Sequence, residues 1–295
     1  MTENTSVAEG SESKIRVAAI QMEPRVGEKK TNVDETLDWI HRAAKEGARL
    51  VVLPELCNTG YVFETREEAF SLAERVPDGP TCRSWLKAAH ENNVSVVAGI
   101  AEKDGPCLYN TAILAGPEGF IGKYRKLHLF HRERLFFELG NLGLPIFYLP
   151  FGRVGLIVCR DAWFPEVARI YALQGADLIC DPTDWALPEE KQRENFLAPY
   201  IHLATAIVNT IFMICANRVG LERGFEFPGS SCIIGPSGFL AGPASMDKSE
   251  MVTAEINVVS ARYKKTTALT DRIADRRVDV YDSMLGYKGI DGTKR

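Results

Sequence analysis

Three stretches of this chain set reactive side chains where strand-like runs stop. The sharpest is Cys159. It follows the apolar run Val154-Gly155-Leu156-Ile157-Val158, and Arg160-Asp161 and a helix start at Phe164-Pro165-Glu166 come directly after it. A strand that breaks into a helix carries the residue at the break to the C-terminal edge of its sheet, where α/β proteins place their chemistry. A thiol there is a nucleophile, and the first backbone N–H groups after it can hold an oxyanion. The competing reading of a cysteine seen alone is a small apolar core residue, so the reactive reading needs partners. Glu55 ends a second apolar run, Leu53-Pro54-Glu55, where partial burial raises a carboxyl toward the range of a usable base. A solvated loop carboxylate is the alternative. The third stretch is Lys123-Tyr124-Arg125-Lys126-Leu127-His128. Strand alternation puts Tyr124 and Lys126 on one face and Lys123 and Arg125 on the other. One set points inward, unless the charges only protect a sheet edge.

The elements that must position these residues alternate along the chain. Residues 16–22 read as a strand. Residues 31–47 read as a helix, with Val33, Leu37, Ile40 and Ala44 on one face. Residues 49–54 form a short apolar strand of the doubly covered parallel kind, 80–92 a helix and 94–101 a strand. Residues 109–115 and 120–124 form a hairpin around Gly116-Pro117-Glu118-Gly119. The second half repeats the order: 153–159 matches 16–22, 174–183 matches 46–55, 209–217 matches 93–101, and 231–241 matches 112–122. Such self-similarity predicts one α/β fold made of two related halves, with their sheets packed together and helices outside. It sets Cys159 opposite Met22 and Glu55 opposite Thr183, so Cys159 and Glu55 emerge on adjoining strand ends at one edge.

Bulk properties narrow the function. The 295 residues are 45% apolar with a net charge of −4, which gives no electrostatic reason for nucleic-acid or anionic-membrane binding. Apolar runs fall short of the roughly 18 residues of a spanning helix. Residues 1–13 are polar and read as a disordered leader, 14–270 as the main domain, and 271–295 as a charged tail that packs on a partner subunit or on the body. The seven cysteines, an odd count without a C-x-x-C pair, fit reduced thiols in the cytoplasm better than disulfides. The five histidines show no metal spacing, so neither metal nor cofactor is expected.

Glu55 in Leu-Pro-Glu, Lys126 in Tyr-Arg-Lys-Leu-His-Leu and Cys159 in Val-Cys-Arg-Asp-Ala-Trp-Phe-Pro-Glu together resemble the Glu-Lys-Cys triad of the nitrilase superfamily, the carbon–nitrogen hydrolases. The resemblance runs from about Lys14 to Tyr281. Glu133, in Glu-Arg-Leu-Phe-Phe-Glu-Leu-Gly, resembles the second glutamate that follows the lysine in that family. The resemblance implies a four-layer α-β-β-α sandwich, in agreement with the two related halves, and an enzyme that releases ammonia through a thioester. In that chemistry Glu55 takes the thiol proton, Lys126 and the Arg160 N–H hold the oxyanion, and Glu133 orients Lys126 or the substrate nitrogen. Lys126 also favours the thiolate.

The Arg160-Asp161 pair after the nucleophile resembles the amidase and carbamoylase branches, where true nitrilases carry Trp-Glu. The substrate expected is a small linear amide, with N-carbamoyl compounds second and nitriles third. A catalytically silent small-molecule binding protein and a metal-dependent phosphatase or nuclease on the same sandwich are the readings from other classes. Intact Glu55, Lys126 and Cys159 argue against both. Tyr61, Arg160, Trp163, Thr183 and Trp185 are the candidate pocket residues, and Asp181 and Asp184 end the same strand as Thr183. Trp185 reads equally as a pocket wall or core, whereas Tyr61 and Trp163 lean toward core. Arg160 and Arg218 are the candidate anchors for a substrate carboxylate. Asp161 reads as a cap for the helix beginning near Phe164, and His128 and His131 as loop residues. The helix over 164–175, with Val167, Ile170 and Tyr171, is the expected surface for a homodimer or higher homo-oligomer.

Overall fold

The computed structural model describes residues 14–187 and 196–285. The expected leader and residues 286–295 of the expected tail lie outside the described residues. Among these, no helix is long and apolar enough to cross a membrane.

In the first half β1 (Lys14–Gln21), α1 (Lys29–Lys45), β2 (Ala48–Val52), α3 (Pro80–Asn92), β3 (Ser95–Asp104), β4 (Cys107–Gly116) and β5 (Gly119–Arg125) follow one another, with a short α2 (Arg66–Leu72) before α3. In the second half β6 (Ile146–Leu149) and β7 (Gly152–Leu156) lead to α4 (Pro165–Leu173), β8 (Leu178–Thr183), α5 (Ala198–Asn209) and β9 (Phe212–Asn217). The hairpin of β10 (Val219–Glu222) and β11 (Phe225–Pro228) precedes β12 (Cys232–Gly235), β13 (Gly238–Ala241) and β14 (Glu250–Asn257). Two six-stranded sheets result, ordered β14-β1-β2-β3-β4-β5 and β13-β12-β9-β8-β7-β6.

The halves are the same design twice. β1-β2-β3 and β7-β8-β9 are parallel, and each set continues into an antiparallel hairpin, β4-β5 or β12-β13. Val17 pairs with Leu50 as Val154 pairs with Leu178, which are the offsets read from the sequence. One repeat differs by a residue. Leu50 pairs with Ser95 and Leu178 with Phe212, so Asn93 corresponds to Thr210, not to Asn209. The reason is local: α3 and α5 end on Asn93 and Thr210, both in the left-handed region with φ 51°, and that cap sets where the next strand starts.

Alternation builds the layers. In β1, Val17 and Ala19 turn toward the second sheet, whereas Ala18 and Ile20 pack with Trp39 and Ile40 of α1 and Trp85 of α3. β1 lies against β9, and β2 and β3 against β8. On the far side, Tyr171 of α4 fills the space left by Gly155 in β7 and donates its hydroxyl to the Leu156 carbonyl at 2.7 Å. This corrects part of the expected dimer surface: Val167 and Tyr171 are buried in their own subunit's core, and only Ile170 is exposed. The long parallel strands stop at one edge, where Met22 bridges to Arg218 and the loops of the two halves meet.

Candidate active site

Glu55 lies in the turn after β2. The turn is pressed onto β3 at Gly99, where a Cβ would stand 2.4 Å from the Glu55 Cα and 2.6 Å from the Pro54 carbonyl oxygen. The Gly99 N–H donates to Pro54 O, and the Cys57 N–H to Gly99 O. Glu55 is fully buried. Its Oε1 accepts from Lys126 Nζ and from Asn110 Nδ2, each at 2.6 Å. Its Oε2, also buried, has no partner among the described residues. Burial pushes the Glu55 pKa up, Lys126 opposes and Glu133 adds to the rise, and the outcome is about 7.

Lys126 follows β5 and is held from behind by Gly140, whose N–H donates to the Lys126 carbonyl and whose missing Cβ would collide with Arg125 O. Besides Glu55, its ammonium donates to Glu133 Oε1 at 2.7 Å. Glu133 Oε1 also accepts from the Tyr61 hydroxyl, and Oε2 from the Phe130 N–H. Burial by itself would lower the Lys126 pKa, but Glu133, Glu55 and Cys159 outweigh it and raise it well above the ordinary lysine value. The two faces of β5 separate as alternation requires. Tyr124 and Lys126 turn toward the site, while Lys123 and Arg125 pair with Glu102.

Cys159 sits where β7 gives way to a single 3₁₀ turn, with φ +50°. Its N–H donates to Asp181 Oδ1 at 2.6 Å. Asp161 does not cap the next helix with its side chain. It accepts instead from the Val158 N–H, the Tyr124 hydroxyl and both the N–H and Nδ1 of His128. Asp161 thus fastens the Cys159 turn to the segment that carries Lys126. His128, expected to be a plain loop residue, is a partner in that staple and stacks on Phe164. Burial, then Glu55, raise the Cys159 pKa well above the usual thiol value, and Lys126 only partly opposes them. Lys126 does favour the thiolate, as expected, but it does not outweigh burial and Glu55.

A cavity of about 240 Å³ opens at Cys159, walled by Phe130, Trp163, Trp185, Leu187 and Phe196 with Arg160 and Asp184. Of the candidate pocket residues, Arg160, Trp163 and Trp185 line it, and the half-exposed Trp163 is not a core residue. Thr183 does not line it, because its hydroxyl is spent on Asn217 Oδ1 and Ala216 O. Tyr61 does not either; its hydroxyl is spent on Glu133. Arg218 lies 1% exposed outside the cavity, bonded to Glu222 and to the Pro24 carbonyl, so it is no carboxylate anchor there. Glu222 in turn accepts from the N–H groups of Val26, Tyr61 and Val62, tying the loops of both halves. Asp184 is buried, and both its carboxyl oxygens lack a partner among the described residues.

Sequence reasoning missed Asn110, the staple role of Asp161, and His202. Asn110 lies in a hairpin strand that reads only as part of an apolar run, whereas Asp161, two residues past the thiol, was visible with another role attached.

A family model described as carbon–nitrogen hydrolase matches residues 16–265. A protein named nitrilase from Pyrococcus abyssi is 44% identical over 267 residues, 90% of this chain and 99% of its own length. The crystal structure of a carbon–nitrogen hydrolase from Helicobacter pylori G27 superposes with a TM-score of 0.83 at 29% identity, covering 93% of this chain and 99% of the other. A mutant of the amidase from Nesterenkonia sp. AN1, solved with acrylamide added at its active-site cysteine, has a TM-score of 0.73 at 26% identity over 92% of this chain and 99% of the other.

Proposed function

Because this chain belongs to the carbon–nitrogen hydrolase family and is a hydrolase of carbon–nitrogen bonds, we propose that it cleaves small linear amides by covalent catalysis on Cys159. The observation that carries the reading is the buried chain Asn110–Glu55–Lys126–Glu133 together with the Cys159 thiol at a left-handed turn. Glu55 has one oxygen fixed by Lys126 and Asn110 and the other uncommitted. Its pKa, raised to about 7, lies near the working pH, the condition under which one group serves as both base and acid.

The free oxygen of Glu55 takes the Cys159 proton as sulfur attacks the amide carbon. The oxyanion forms against the Lys126 ammonium and the Arg160 N–H; the Cys159 N–H is already committed to Asp181. Glu55 returns the proton to nitrogen, the C–N bond breaks, and ammonia leaves a thioester. Glu55 then takes a proton from water, the hydroxyl adds to the thioester carbon, and the C–S bond breaks as Glu55 returns that proton to sulfur, giving the carboxylic acid and the restored thiol. Glu133 keeps Lys126 in place and shares its charge.

Largely apolar, aromatic walls favour an uncharged aliphatic or aromatic acyl group. With Arg218 paired elsewhere, an N-carbamoyl amino acid loses one of its two candidate carboxylate anchors. A second reading is an N-carbamoyl amine, whose ammonium would supply the partner that the buried Asp184 carboxyl lacks among the described residues; burial pushes the Asp184 pKa up, so the carboxyl would ionise as that cation binds. The exposed Trp163, Ile170, Leu173 and Val208 around α4 and α5 form the face proposed to meet a second copy, a point settled by mass from light scattering before and after Ile170→Glu.

The deciding experiment measures ammonia release from a panel of amides, N-carbamoyl amines, N-carbamoyl amino acids and nitriles. Simple amides are expected to lead. Cys159→Ala is expected to abolish release with an unchanged circular-dichroism spectrum. Undiminished release from that variant would sink the mechanism, and nitriles or carbamoyl amino acids as best substrates would sink the amide assignment.

A further inference from the structure

We infer that Asp181 and His202 form a positioning dyad that holds the backbone of Cys159 in its reactive conformation, an inference that rests on the nucleophile reading above. Neither residue lines the substrate cavity, so the role is to act through Cys159.

The starting point is the turn itself. Cys159 has φ +50°, a conformation that costs a non-glycine residue about 1–2 kcal/mol and persists only where surrounding contacts impose it. Asp161 holds the turn through the Val158 N–H, and the contact made by Cys159's own backbone is the hydrogen bond from its N–H to Asp181 Oδ1 at 2.6 Å. Asp181 comes from the end of β8, the strand beside β7, and is fully buried. Its other oxygen, Oδ2, lies 2.6 Å from His202 Nε2. His202 projects from α5, is also fully buried, and sets Nδ1 2.8 Å from the Ala198 carbonyl.

Those contacts fix the protons. A carbonyl oxygen only accepts, so Nδ1 of His202 carries hydrogen. The Nε2–Oδ2 contact then holds one further proton, on either atom. In both arrangements the pair is electrically neutral as a unit. Asp181 can thus accept the Cys159 amide without setting an unbalanced negative charge beneath a sulfur that must become a thiolate. Burial raises the Asp181 pKa and His202 opposes the rise, as expected for a carboxyl that depends on its histidine.

The dyad also ties the nucleophile to the pocket. The His202 ring lies 4.8 Å from that of Trp185, and both Trp185 and Ala198 line the cavity. The Cys215 sulfur is close, with one ligand atom from each of Asp181, His202 and Cys215 inside 4.8 Å. A cation does not fit the donors as they stand, because Asp181 and His202 are bonded to each other and burial keeps Cys215 a neutral thiol.

The test compares Asp181→Ala with Asp181→Asn, each checked for folding by thermal melting. Asn keeps an oxygen for the Cys159 N–H, and its NH₂ donates to the Nε2 lone pair of a neutral His202. Two readouts are taken: ammonia release from propionamide and benzamide, and the rate of Cys159 alkylation by iodoacetamide followed by mass spectrometry. Misplacing a reacting group by about 1 Å costs on the order of 100-fold, so Asp181→Ala should lower kcat by about that factor, with KM within about threefold. Alkylation should slow by roughly tenfold or more, and Asp181→Asn should restore both rates to within about fivefold, as an acceptor role requires. A folded Asp181→Ala protein with parental kcat and alkylation overturns the inference. So does an Asp181→Asn protein that loses about 100-fold, because the charge and not the acceptor would then matter; that second result decides alone if Asp181→Ala does not fold. If Cys159→Ala still releases ammonia, the nucleophile reading fails separately, and alkylation decides the dyad by itself.

Discussion

Replacing Asn110 by Ala should move the acid limb of the pH profile upward. Asn110 Nδ2 donates to Glu55 Oε1 at 2.6 Å inside a site where both residues are buried. That bond favours the ionised carboxylate and is one of the influences holding the Glu55 pKa down to about 7 against burial. A hydrogen bond to a charged group contributes about 1.5–3 kcal/mol, and about 1.4 kcal/mol corresponds to one pKa unit. Water entering the space left by the carboxamide recovers part of the loss, so the lower end applies, a rise of about one unit to roughly 8. The sign follows from the role: Glu55 must be ionised to accept the thiol proton, so activity rises with pH through its pKa. In the parent the limb of kcat/KM should have its midpoint near 7. In Asn110→Ala the limb should sit about one unit higher, giving roughly eightfold less activity near pH 6.5 and almost none of that deficit near pH 9. The assay is kcat/KM for ammonia release at closely spaced pH values in buffers of constant ionic strength. A limb that stays put or moves to lower pH would refute the reasoning. A loss of equal size at every pH would too, since Asn110 would then support geometry and not ionisation.

Three further outcomes follow from the same contacts. Lys126→Met leaves Glu55 and Glu133 facing each other without the ammonium that bonds both; kcat should fall by about 10²–10³ from the lost oxyanion donor, and the remaining activity should need still higher pH. Gly99→Ala forces a Cβ to within 2.4 Å of backbone at Glu55, so stability should drop by about 1–3 kcal/mol in urea unfolding, with kcat reduced; unchanged stability and kcat would show that the turn can retreat. Asp177, bonded to the partly exposed Arg153 and Arg262, has its pKa lowered by these partners despite burial; Asp177→Ala should cost about 1–2 kcal/mol near neutral pH. That difference should be full above the unfolded carboxyl pKa of about 3.9 and shrink as pH falls through the lower folded value, a trend that acid unfolding curves of both proteins would check.

Read alone, the amino-acid order picks out Glu55, Lys126 and Cys159 as candidates and the edge of the fold where they meet. Hydrophobic alternation marks where each strand stops, and the repeat places those stops in register, so Glu55 and Cys159 emerge at one edge, although β2 and β7 that carry them lie in different sheets and are not direct neighbours. The observed pairing of Val17 with Leu50 and of Val154 with Leu178 is the same arithmetic in hydrogen bonds. How each polar atom is spent emerges only once the chain is folded. Arg218 and Arg160 look alike in the chain, yet one is locked onto Glu222 and the other reaches the cavity. Thr183 ends the right strand but turns its hydroxyl to Asn217, whereas Asp181, two residues earlier, reaches the Cys159 amide. That Lys126 favours the thiolate was legible, but burial and Glu55 raise the Cys159 pKa further than it lowers it. These outcomes depend on desolvation and on partners far away in sequence, such as Asn110 with Glu55 and His202 with Asp181. Local pattern encodes which face a residue occupies; it does not encode which distant donor arrives there.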